Sequence, residues 1–432
     1  MSIEDRVRAA TRARTDLVRG VRPLEFPAEA PASARRDRSR RWLSWGAPIA
    51  AAALVTVLAL TLVLLRQADG PQPGQVTPAA SQAALASIPR YYVTLAYTGS
   101  TSAQMEAVAG DDQTGKELAV VHPSASQNFY GVTAAADDRT FVLMNYAPVQ
   151  QVTTWYLLRL TPGAAHPTQL TELPIKSLAA HVNGLALSPD GRELAVMWRT
   201  ATTATNAVTY LSVYSMSTGA ALHTWSTRVT DNNFFGGGAN SLGLSWVGGN
   251  RSLEFRWPVD LQRNPNTELT MRTIDVTAAG HDLMADSRTV LQVPAGVAPT
   301  RTTVTQPCVT SLVATDGTVV CGTTGFSNVS GEEGCAVVPP EFVSYSSATG
   351  KELKVLYRHQ GVCLNGQSIV LWTDPGGRHV IAFLLTALLH QPASAGDYFG
   401  VVADGHFTSL PPLVTGTGYA SGAADDQGGI AF

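Results

Sequence analysis

A chain of 432 residues that is 45% apolar, only 15% charged and rich in Gly (38) and Pro (25) has the composition of a turn-dense β protein, not of a helical bundle. Its formal net charge of −3 hides a division: residues 1–46 hold eleven Arg against six acids, whereas residues 66–432 sum to −8. A basic tail and an acidic body separated by an uncharged run fit a chain that crosses a membrane; the basic residues crowd against the apolar run, which argues against nucleic acid as the partner.

Residues 1–46 read as an Arg-rich cytoplasmic tail. Within it, residues 2–21 can form a short helix with Ile3, Val7, Ala10, Leu17 and Val21 on one face and Arg8, Arg12 and Arg19 on the other, although Arg14 interrupts the apolar stripe. Such a helix can lie on anionic lipid or dock a cytoplasmic regulatory protein, and the pattern leaves both open. Residues 22–34 read as linker. Ala47–Leu65 is 19 residues without a charge, the length that spans a bilayer as a helix, with Pro48 in its first turn. Arg35, Arg36, Arg38, Arg40 and Arg41 flank it on one side, so the N-terminus is expected in the cytoplasm and the C-terminal body outside the cell. Trp42 and Trp45 sit at headgroup level. A cleaved signal peptide would need an n-region of 46 residues, and no Cys follows the run for lipid attachment, so the segment reads as an uncleaved signal anchor whose partner is the bilayer. Residues 66–87 are a Pro/Ala-rich linker.

From residue 88 to 432 one pattern recurs: an apolar strand, a tight Asp/Gly/Pro corner, another apolar strand. It reads YGVTAAADDRTFVLMNY around Asp138, GLALSPDGRELAVMW around Asp190, LGLSWVGGNRSLEFRW around Gly249, TSLVATDGTVVCG around Gly317, IVLWTDPGGRHVIAFLL around Gly376 and GYASGAADDQGGIAF around Asp426. A second series of turns interleaves with it, from VAGDDQTGKELAVV through IDVTAAGHDLM to VVADGHFTSLPPL. Each unit therefore has four antiparallel strands. One such sheet cannot bury both of its faces, so the units are expected to pack as a six-bladed β-propeller in an all-β extracellular body. The strand YYVTLAYTG lacks a preceding partner and the chain ends on the last corner strand, so both ends are expected to complete one blade, which removes two raw sheet edges.

The segment ALSPDGRELAV resembles the strand–turn–strand signature of WD-repeat-like and TolB-like bacterial propellers, without their repeated Trp-Asp or Gly-His. The whole layout is similar to membrane-anchored propeller proteins of high-GC Gram-positive bacteria, many encoded beside extracytoplasmic-function sigma factors. That resemblance implies a sensing or binding role that passes a signal to a cytoplasmic regulator such as a sigma factor.

All four cysteines lie in the body: Cys308, Cys321, Cys335 and Cys363. An even number there fits two disulfides in an oxidising compartment. Of the three pairings, Cys308–Cys321 and Cys335–Cys363 are favoured, since the first pair flanks the corner Thr315-Asp316-Gly317. With no CxxC and no paired His, zinc is disfavoured.

No nucleophile elbow, zinc helix motif, phosphate loop or dinucleotide fingerprint is present, so no catalytic, metal or cofactor residues are assigned. The pairs Asp111/Asp112, Asp137/Asp138 and Asp425/Asp426 read as turn caps in preference to calcium ligands. Trp198, Trp246, Trp257 and Trp372 read as inter-blade core. Asn232, Asn233, Phe234 and Phe235 before a Gly run, and Glu332 and Glu333 in a Gly-rich insertion, are the candidate recognition loops for an envelope protein or ligand. The expected function is thus a binding or sensing module and not an enzyme. The alternative is a propeller-based hydrolase or lyase, whose mark would be several titratable side chains converging on the central channel.

Overall fold

The computed structural model describes residues 88–97, 104–124, 127–147, 149–150, 152–200, 207–229, 243–257, 269–293, 303–327, 341–359, 364–388, 396–413 and 429–432. The chain divides into a unit of residues 1–70, none of which is among the described residues, and a unit of residues 71–432 that holds every strand below. The expected membrane span, tail helix and linkers fall on residues outside the described ones. Among the described residues no helix is long and apolar enough to cross a membrane.

The body is an all-β, six-bladed propeller. Counting strands from the channel outwards, the second blade is β4 (Asn128–Ala134), β5 (Thr140–Ala147), β6 (Val152–Leu160) and β7 (Thr168–Glu172). The third is β8 (Ala180–Leu187), β9 (Glu193–Thr200), β10 (Ala207–Ser215) and β11 (Ala221–Val229). The fourth is β12 (Ser245–Val247), β13 (Ser252–Trp257), β14 (Leu269–Asp275) and β15 (Arg288–Val293). The fifth is β16 (Thr303–Val313), β17 (Thr318–Ser327), β18 (Glu341–Ser346) and β19 (Glu352–Arg358); the sixth is β20 (Leu364–Thr373), β21 (Val380–Leu388), β22 (Gly396–Ala403) and β23 (His406–Ser409). A two-pair bridge, Thr324↔Gln367 and Gly325↔Gly366, joins these last two sheets.

The first blade closes the ring. Its outer strands are β1 (Tyr91–Tyr97), β2 (Met105–Asp111) and β3 (Lys116–Val121), and its innermost strand is β24 (Ile430–Ala431), from the other end of the chain. Val93 pairs with Ala431 and Thr94 with Ile430, and Leu95 N donates to Gly429 O at 2.7 Å. The expected closure by both ends is therefore present, with one correction. Five of the six corners join a first strand to a second. Asp425 and Asp426 lie outside the described residues and precede the innermost strand instead of following it. The corner of the closing blade is split between Phe432 and the entry at Ile88.

Burial explains the ring. The apolar side chains sort into six clusters, each shared by two consecutive blades. Val142, Met144 and Trp155 of the second blade pack with Leu185, Leu194 and Val196 of the third. Ile369, Ile381 and Phe399 of the sixth blade pack with Tyr92, Ile430 and Phe432 of the first, which completes the circle. No sheet face could be dry without its neighbour. Trp246 is buried and Trp198, Trp257 and Trp372 pack at the cluster margins, as expected; the fully buried indoles are Trp155 and Trp225.

The corners also touch one another. Ala136 N donates to Pro189 O (3.0 Å), Gly248 N to Thr315 O (2.8 Å) and Asp316 N to Pro375 O (3.1 Å), each from one blade to the next. Deeper in, Trp246 Nε1 donates to Ala186 O at 3.0 Å, and Leu187 N donates to Thr133 Oγ1 at 3.1 Å. The corner carboxylates hold the turns: Asp137 Oδ1 accepts from Arg139 N and Thr140 N, Asp316 Oδ1 from Thr318 N, and Asp374 Oδ1 from Arg378 N and His379 N. Gly191 and Gly317 supply the left-handed residue of their corners (φ 71° and 87°), a place Asp138 takes at φ 53°.

Cys308 and Cys321 form a disulfide with Cα atoms 4.5 Å apart. The strands β16 and β17 run side by side as expected, and a bulge between Gln306 and Thr310 with Cys308 at φ 59° aims one thiol at the other. Cys335 and Cys363 lie outside the described residues. One element was not foreseen: in the fourth blade the expected turn after Asp275 contains a helical turn, α1 (Leu283–Asp286), capped by Asp282, whose carboxylate accepts from Met284 N and Ala285 N.

Candidate functional site

The channel end ringed by the corners holds a chamber of about 590 Å³. All six innermost strands line it, and Ile88, Pro89 and Phe432 complete its rim. The side chains partly exposed along it are small or neutral: Thr133, Ala134, Ser245, Leu312, Trp372 and Thr373. Two carboxylates stand at the rim, Asp137 and Asp138. Both are committed. Asp137 caps its corner and takes the Thr140 hydroxyl at 2.7 Å; burial would raise its pKa, and the hydrogen bonds from Thr140 and Arg139 outweigh that and hold it low. Asp138 accepts Arg90 N at 3.0 Å and faces Arg139 at 3.5 Å.

Beside the rim the chain enters the ring through a strap, Ile88–Arg90, and this strap is clamped. Arg90 Nε and Nη2 both donate to Asp111 Oδ2, at 3.1 and 2.9 Å, and Arg90 O accepts Asp112 N at 2.9 Å. The guanidinium groups of Arg90 and Arg139 both approach the Tyr91 ring, at 5.3 and 5.2 Å from its centroid. Burial would raise the Asp111 carboxyl; the Arg90 guanidinium and the Thr114 and Gln113 amides hold it below its ordinary value.

Asp112 departs from the turn-cap reading. Asp111 caps the turn alone, taking Gln113 N (3.0 Å) and Thr114 N (3.1 Å) on Oδ1. Asp112 is 1% exposed, and neither of its carboxylate oxygens has a hydrogen-bond partner. Burial first, then the charges of Asp111 and Asp138, push its pKa up to about 7. Glu254 on β13 is a second such group, 3% exposed with Oε2 unpartnered; burial pushes it up to about 7 against the pull of Ser347 and Arg288. Sequence patterns gave no sign of either role, because a doublet of Asp at a turn does not say which member faces inwards. Among the described residues no group of three His, Cys, Asp or Glu is placed to hold a metal ion.

Asn232, Asn233, Phe234, Phe235, Glu332 and Glu333 lie outside the described residues. The strands that flank them, β11 and β12 for the first group and β17 and β18 for the second, open on the face opposite the corners.

No family model matches the chain, and no curated protein matches it. Solved structures do. TolB from Acinetobacter baumannii is 14% identical, with 80% of this chain and 74% of that one covered and a TM-score of 0.32. An oligogalacturonate lyase in complex with manganese is 10% identical over 72% of this chain and 73% of its own, with a TM-score of 0.37. A puromycin hydrolase is 15% identical over 79% of this chain and 49% of its own, with a TM-score of 0.40. At 10–15% identity these likenesses bear on the fold alone.

Proposed function

We propose that this chain is a membrane-anchored, extracytoplasmic binding or sensing propeller, tethered through Ala47–Leu65, with residues 1–46 in the cytoplasm available to a regulatory protein such as a sigma factor. The observation that carries the binding reading is the chemistry of the chamber. Six strands converge on it, its exposed side chains other than Asp137 and Asp138 are neutral, and those two carboxylates are already held by turn amides and by the strap. General acid–base chemistry on a propeller needs several titratable groups free to meet a substrate. A neutral chamber of this size suits an uncharged ligand or an inserted side chain of an envelope protein. Because the strap borders the chamber, an occupant would touch the segment that leads to the tether.

The test is a thermal-shift screen of full-length protein in detergent micelles against cell-envelope fragments and neutral small molecules. Each stabilising compound is then followed by mass spectrometry. A compound that raises the melting temperature and is recovered intact supports the reading. A compound consumed with multiple turnovers overturns it. The topology is checked separately by proteolysis of intact spheroplasts, which should remove the body and spare the tail.

A further inference from the structure

The clamp on the strap contains a group that the binding reading leaves unused. Three carboxylates, Asp111, Asp112 and Asp138, gather round Arg90. Asp111 takes its guanidinium and Asp138 takes its amide, so Asp112 is left with none of its positive charge to bond. The Gln113 N–H that approaches Asp112 is donated to Asp111. A buried carboxylate without a donor is tolerated only when it is neutral or when something moves. What would move is defined by the geometry: Asp112 N is bonded to Arg90 O, so exposing the Asp112 side chain to water draws on the same contact that fastens the strap.

We propose that Asp112 is a proton-operated switch on this clamp, holding the strap Ile88–Arg90 against the ring while its carboxyl is neutral and loosening it once the carboxyl ionises. The groups that set the balance come from each element packed here. Asp111 lies on the same turn, Arg90 and Tyr91 on the strap and β1, and Asp138 and Arg139 on the β4–β5 corner; Pro411, over Gly115, carries no charge. The folded-state pKa lies above the ordinary carboxylate value. The contribution of the neutral form is therefore full below that ordinary value and is lost as pH rises through about 7. The strap is the first described segment of the propeller, so its hold on the ring becomes a function of pH whether or not the chamber binds anything.

Amide hydrogen exchange on full-length protein in detergent micelles, at pH 5.5 to 8.5 and expressed as protection factors, reads this directly. The amides of Arg90 and Asp112 should lose about tenfold or more of their protection across that range, while core-strand amides such as those of Leu143 and Val196 stay constant. Asp112→Asn should hold a flat, high protection at both ends of the range. Asp138→Asn keeps an acceptor for the Arg90 amide but removes one repelling charge, and should move the midpoint to higher ionisation of Asp112, that is, to lower pH. A flat profile in the native chain, the same loss in Asp112→Asn, or an unmoved midpoint in Asp138→Asn would overturn the proposal. Since no chamber ligand is added, failure here leaves the thermal-shift result standing, and the reverse also holds.

Discussion

The indole of Trp246 reaches across from the fourth blade to the third and donates to the carbonyl of Ala186 at 3.0 Å. Both residues sit on innermost strands, and both are buried. Trp246→Phe keeps most of the ring's packing and removes this inter-blade hydrogen bond, while the Ala186 carbonyl keeps its place in the β8–β9 ladder opposite Ala195. The expected cost is about 0.5–1.5 kcal/mol, the net contribution of one hydrogen bond. Urea unfolding of the full-length protein, followed by the remaining Trp fluorescence, should show the midpoint fall with the slope unchanged.

Between the fifth and sixth blades the backbones approach closely at Gly322. A Cβ there would collide with the Ser368 carbonyl, and Thr310 Oγ1 already donates to that oxygen at 2.9 Å. Gly322→Ala therefore has to displace main chain and not just a side chain, and should destabilise by roughly 2 kcal/mol or more. An unchanged melting temperature would show that the two blades sit further apart.

The Cys308–Cys321 bridge closes a loop with a sequence separation of 13 on neighbouring strands. Replacing both by Ser should cost about 2–4 kcal/mol. Thermal unfolding of the double variant beside the oxidised native protein reads this loss, and an unchanged melting temperature would contradict it.

Glu254 gives a stability prediction with a definite sign. Its folded-state pKa, pushed up to about 7 by burial, lies above its ordinary value. The folded state therefore holds a proton that the unfolded chain releases, and this contribution to stability is lost as pH rises from about 4.5 to 7. Glu254→Gln should flatten that part of the pH profile and be the more stable protein above pH 7, by up to roughly 3 kcal/mol. Equal slopes in the two proteins would contradict a buried Glu254 carboxyl with Oε2 unpartnered.

The blades were legible because a half-buried strand alternates and a tight corner needs Asp or Gly at fixed places; GLALSPDGRELAVMW carries both signals in one stretch. The Cys308–Cys321 pairing followed from the same corner logic. The closing strand was half legible. Ile430 and Ala431 are too short to show a period, and their partner Thr94 lies on the far side of a loop whose ends bond across 335 residues. The helical turn at Leu283–Asp286 has a local signal, the capping Asp282, that the surrounding β pattern outweighed. The clamp was illegible for a different reason. Asp111 and Asp112 are chemically the same residue, and only the packing of the strap and of Asp138 against them decides that one grips an arginine while the other is buried alone.

The ring and its closure by both ends underlie the chamber, the strap and the clamp alike. The most direct measurement is an engineered cross-link between Thr94→Cys and Ile430→Cys, which are register partners on β1 and β24. Mild oxidation of folded, full-length protein followed by peptide mass spectrometry should recover a peptide pair joined through these two positions, with Thr94→Cys and Leu170→Cys, the latter on the outer edge of the second blade, giving none. Absence of the 94–430 link in folded protein, or equal linking to position 170, would contradict a propeller closed in this way.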